Sequence, residues 1–154
     1  MRRLAGPLIA AALPCLPAAG LAGALQVTGA DGTLLAERAV PDGAEWCLRW
    51  NHSVTGGAVA DCFGMEGGEM VLRRSYLHDY AAGLGDIPGR GRVRAAESGG
   101  YWIEGIDEPV AGGVLRLRVG ARSVDQRLTG PGWRIDLAPL GQGARVILRP
   151  APEG

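Results

Sequence analysis

The sequence predicts an all-β fold, a small antiparallel β-sandwich or barrel with one long Gly-rich loop. Three observations predict it. Short runs of β-branched, aromatic and Leu residues recur along the chain, turns rich in Gly, Pro and Asp separate them, and little room is left between them for helices. The cleanest alternation is Val114-Leu115-Arg116-Leu117-Arg118-Val119, with Leu115, Leu117 and Val119 turned inward and the two arginines outward.

In order, residues 25–28 and 33–40 flank Gly29-Ala30-Asp31-Gly32 and read as a first hairpin. Pro41-Asp42-Gly43 turns the chain into a strand over residues 46–54, followed by a second over 59–65. Glu66-Gly67-Gly68 leads into a strand over residues 69–76. Residues 80–91 hold four glycines and a proline with no sustained period, and read as a long surface loop. Strands over residues 101–106 and 114–119 are expected to meet around Asp107-Glu108-Pro109, and three short strands at 124–128, 133–137 and 145–148 complete the set.

Ahead of all this, Arg2 and Arg3 precede an apolar run ending in Ala22-Gly23-Ala24, a small-x-small cleavage pattern. Residues 1–24 are expected to be a signal peptide and residues 25–154 a single all-β domain, periplasmic or otherwise exported. No stable membrane insertion is expected after cleavage. Removing 24 of 154 residues leaves 130, enough for one core. Loss of Arg2 and Arg3 from the 16 basic residues leaves 14 arginines against 16 carboxylates, a net charge of −2. That balance gives no general reason to expect nucleic acid or an anionic membrane as a partner.

The chemistry-bearing stretch is Trp50-Asn51-His52-Ser53-Val54, with Asp61 on the next strand. If Gly56 and Gly57 form a two-residue turn, His52 faces Asp61 on an apolar side of the sheet and forms a buried hydrogen bond with it. Ser53 then points to the opposite face, so no Ser–His nucleophile pair forms, and no Gly-x-Ser-x-Gly elbow is present. The same register separates Cys47 from Cys62 by a four-residue offset, about 13 Å at ~3.3 Å per residue, too far for a disulfide. An exported compartment nonetheless permits the pair. The two readings compete, and the local turn signal favours free thiols unless a bulge shifts the strand. His78 is the other imidazole, but its spacing from His52 and Asp61 matches no zinc pattern, and neither a metal nor another cofactor is expected. Gly83-Leu84-Gly85 lacks the third glycine of a dinucleotide loop. Arg90, Arg92 and Arg94 share one side of their stretch, either meeting an acidic ligand or guarding a solvated edge.

His52-Ser53-Val54 followed by Asp61, then Tyr80-Ala81-Ala82-Gly83-Leu84, and later the stretch Val124 to Leu128, resemble the bacterial domain-of-unknown-function 1850 family. The resemblance implies a small exported protein of a kind often encoded beside tripartite ATP-independent periplasmic transporters. It carries no biochemical activity with it, and therefore suggests an accessory or binding module whose partner is a transporter component. Candidate binding residues are His52, Ser53, Asp61, Tyr80, Gly83, Leu84, Arg90 and Arg92, with no catalytic residue assigned. The alternative is a small periplasmic hydrolase or metal-dependent enzyme using His52, Asp61 and His78.

Overall fold

The computed structural model describes residues 23–79 and 88–152. Eleven strands are present among them: β1 Gly23–Gly29, β2 Leu34–Val40, β3 Trp46–Asn51, β4 Ala58–Glu66, β5 Glu69–Leu77, β6 Arg92–Ala95, β7 Tyr101–Pro109, β8 Leu115–Arg118, β9 Arg127–Gly130, β10 Trp133–Asp136 and β11 Arg145–Pro150. They form two antiparallel sheets packed as a sandwich, in the orders β2-β1-β11-β8 and β10-β9-β3-β4-β5-β7-β6. No described helix is long and apolar enough to cross a membrane. β1 begins at Gly23, so Gly23 and Ala24 already pair with Val40 and Ala39.

Local chemistry accounts for the tight turns. Gly67 and Gly68 both adopt positive φ between β4 and β5, the backbone that a two-residue hairpin needs and that Gly adopts without steric cost. In the β1–β2 turn Asp31 accepts from the backbone N–H and the hydroxyl of Thr33 at 3.0 and 2.9 Å. Those bonds fix the turn and hold the Asp31 carboxyl below its usual pKa.

The main core lies between the sheets. Leu25, Val27, Val146 and Leu148 from the smaller sheet meet Trp46, Leu48, Phe63 and Leu128 from the larger one. Trp46 and Phe63 stand opposite each other on β3 and β4 and stack at 4.6 Å. Trp133 on β10 donates to the Ala39 carbonyl on β2 at 3.1 Å, a polar tie between the layers. A second cluster, Val59, Leu77, Tyr101, Ile103 and Ile106, forms on β4, β5 and β7.

The expected strand alternation holds in β8, where Leu115 and Leu117 pack on the core and Arg116 and Arg118 are exposed. Four expectations are corrected. The β3–β4 register places Cys47 opposite Cys62 and Leu48 opposite Asp61, and the two cysteines form a disulfide with Cα atoms 4.0 Å apart. Only Gly56 of the Gly-Gly pair has positive φ, so the turn is not a two-residue one and a six-residue loop separates the strands. The chain does not turn at Asp107-Glu108-Pro109, because β7 absorbs Gly105 and Asp107 at positive φ as an irregularity and continues to Pro109. It then crosses to the other sheet, so β7 and β8 are not partners. Residues 122–124 form a 3-10 turn and the strand starts at Arg127. β6 is an additional strand, formed by Arg-Val-Arg-Ala at the sheet edge.

Candidate functional site

The corrected register decides what His52 can do. β3 has ended at Asn51, and the His52 backbone closes the loop by bonding Gly57 and Gly56 at 2.8 Å each. Its Nδ1 accepts from the backbone N–H groups of Val54 at 3.4 Å and Thr55 at 3.3 Å. The Thr55 hydroxyl in turn accepts from Gly57 N–H at 3.2 Å. His52 is thus a half-exposed loop cap rather than a buried partner of Asp61, and Ser53 is exposed beside it. A Cβ at Gly57 would meet the Asp79 carboxylate, so a larger residue there would force that side chain to move.

Asp61 lies on the inner side of β4, with Leu48 on one neighbouring strand and Ser75 on the other. The buried Ser75 hydroxyl donates to its carboxylate at 2.6 Å. Burial raises the Asp61 pKa, and the Ser75 bond and the positive field of Arg90 only partly oppose this. Arg90 does not project free. It clamps Glu108 in a two-point ion pair, Nε to Oε1 at 2.9 Å and Nη2 to Oε2 at 3.1 Å. That pairing and the nearby Asp61 hold its pKa up, against some desolvation. The result is a carboxyl that keeps its proton to higher pH than a solvated one, beside an ion pair and the second apolar cluster.

His78 is exposed at the end of β5, where its N–H bonds Ala58 O at 2.9 Å. Its Nδ1 lies 3.2 Å from the Tyr76 hydroxyl, which donates to Gly99 O at 2.7 Å. Asp61 is three residues along β4 from Ala58, about 10 Å at ~3.3 Å per residue, and on the other face. His52, Asp61 and His78 therefore do not converge, and among the described residues no group of three potential ligands is placed to hold a metal ion. Tyr80, Gly83 and Leu84 lie outside the described residues.

On the outer face of the larger sheet, strand pairing sets Arg127, Arg49, Ala60, Tyr76, Trp102 and Arg94 in one row across six strands. Arg127 pairs with Asp125 at 2.5 Å and Arg74 with Glu45 at 2.7 Å. Arg74 also covers the Trp102 ring at 4.5 Å, and Tyr76 leans on Trp102 at 5.2 Å. Arg49 bonds the Thr129 hydroxyl at 3.1 Å, and burial followed by the charges of Arg127 and Arg74 lowers its pKa. At the β6 end, Arg92 is exposed, and Arg94 is 74% exposed with Glu104 3.7 Å away. A groove of about 440 Å³ runs beside β6 between Arg94, Trp102 and Glu104.

Sequence reasoning missed Ser75 and Glu108. Parity along β5 carried the signal for Ser75, two residues from Leu77, whereas Glu108 was assigned to a turn. Among known proteins, the model of the family described as Domain of unknown function (DUF1850) matches residues 47–137. No curated protein and no solved structure matches the chain.

Proposed function

The chain belongs to the DUF1850 family, and from that premise we propose that it is an exported accessory module that binds a component of a periplasmic solute transport system. It acts by contact rather than turnover. The observation that carries this reading is the β6 edge. All four of its residues are exposed, Arg92 and Arg94 stand on the outer face, and the groove against Trp102 lies beside them. Aromatic and arginine side chains next to an open groove suit recognition of a protein surface. The family stretch from Tyr80 to Leu84 precedes this edge in sequence. The separation of His52, Asp61 and His78 supports contact over a hydrolase or metal enzyme built on those three.

The test is capture from native periplasm and membrane with the tagged protein and its Arg92→Glu/Arg94→Glu variant. The parent is expected to retain a transporter component and the variant to lose it, with melting temperatures within ~2 °C because both residues are exposed. Equal capture by both proteins, or by neither, refutes the assignment.

A further inference from the structure

The charge balance of the whole chain conceals a one-sided distribution on the smaller sheet. Arg116 and Arg118 on β8 and Arg145 and Arg149 on β11 all turn to its outer face and are exposed. None of the four forms an ion pair with another described residue. Among the described residues the face offers one carboxylate, Glu37, and that accepts from the Gln26 amide at 2.9 Å. Asp31, in the turn at one end, is engaged by Thr33. Four cations thus stand against one anion in a chain with 16 basic and 16 acidic residues.

Edge protection does not account for this. It requires charge on the terminal strand β8, yet Arg145 sits on interior β11, directly opposite Arg118. Like charges opposed across strands destabilise a sheet, so the arrangement is a cost within the isolated fold. Apolar groups accompany the cations: Ile147 lies between Arg145 and Arg149 on the same face, a groove of about 450 Å³ is lined by Arg116, Arg118, Arg145 and Ile147, and Leu34 at the far edge is 54% exposed, with Leu35 beside it at 42%.

We propose that the outer face of the β2-β1-β11-β8 sheet docks on an anionic phospholipid surface, with the arginines at the headgroup phosphates and Leu34 and Leu35 at the interface. A broad sheet face with cations on two adjacent strands and leucines at one edge fits a planar anionic surface better than a single acidic side chain. The attraction is electrostatic, long-range and salt-sensitive. The inference rests on the reading of the protein as exported, and it brings the accessory module to the membrane while leaving the β6 edge free for a partner.

The experiment is co-sedimentation of the signal-free protein with vesicles of pure phosphatidylcholine or of phosphatidylcholine containing about one third phosphatidylglycerol. At low salt, a net excess of three charges predicts a preference of about 100-fold for the anionic vesicles, lost in high salt. Arg116→Gln/Arg118→Gln/Arg145→Gln should abolish the preference without lowering the melting temperature, and Arg92→Gln/Arg94→Gln on the other sheet should retain it. If the triple variant fails to fold, Arg116→Gln alone is expected to weaken the preference about fivefold. Equal binding to both vesicles, or full binding by a folded Arg116→Gln protein, overturns the proposal. So does binding to poly-glutamate without binding to anionic vesicles, which would assign the face to an acidic protein. Vesicle binding is independent of β6, so its failure and failed capture of a transporter component are separate results.

Discussion

Reduction of the Cys47–Cys62 disulfide tests the corrected register most directly. The bond joins residues 15 apart in sequence. In the loop-entropy description, closing about 15 residues removes ~10 cal/mol/K from the unfolded chain, or ~3 kcal/mol at 25 °C. For a domain of this size each kcal/mol moves the melting temperature by ~3–5 °C, so reduction should lower it by ~10–15 °C. The bond is buried between Arg74 and Thr129 on the neighbouring strands, and Cys62 is 0% exposed, so the native protein should resist mild reductant and yield when partly unfolded. Urea titrations of oxidised and reduced, alkylated protein measure the difference, and thiol counting in urea without reductant checks the starting state. Two free thiols in the native protein, or coincident unfolding midpoints, would refute both the pairing and the register drawn from it.

Two further outcomes follow from side-chain environments. Asp61 has a folded pKa raised above its ordinary 3.8, so the folded state binds more protons than the unfolded one in the window above pH ~4. Stability conferred by the protonated carboxyl is complete below that value and declines as pH rises through the folded pKa. Asp61→Asn keeps an oxygen acceptor for Ser75 and removes the titration, so its urea midpoint should gain on the parent from pH ~4 upward; a constant difference across that range would contradict the raised pKa. His52→Ala removes only two long bonds from an exposed loop, and should cost below ~1 kcal/mol; a loss of several would restore His52 to the core.

Some of this architecture was legible because it is written in local chemistry. The inward leucines of β8 and the glycines of the β4–β5 turn need only neighbours in sequence to specify them. The β3–β4 register was not legible in the same way. Gly56-Gly57 imitates a two-residue turn, but the side chains of His52 and Thr55 supply acceptors to backbone N–H groups within the loop and stabilise a longer connection. The cysteines held the correct register all along, since opposing them implies that loop length. β6 escaped detection because Arg-Val-Arg-Ala has a weak strand pattern of its own and is held by pairing with Tyr101 to Glu104. The arginine face of the smaller sheet was invisible for another reason: β8 and β11 become neighbours only through the long-range topology, which alternation within either strand does not encode.

The pairing of β1 with β11 has a kinetic consequence. Thr28 and Ile147 are 119 residues apart yet hydrogen bonded, so the first strand has only β2 to rest against until the last one arrives. Closing so long a loop is entropically costly and slow compared with forming local hairpins. The β3–β4–β5 meander can assemble early from nearest neighbours, while the smaller sheet and the core beneath it must wait for the C-terminal strand. Completion of the smaller sheet therefore depends on β11, and a chain truncated before Arg145 would leave Leu25 and Val27 without the strand they pair with.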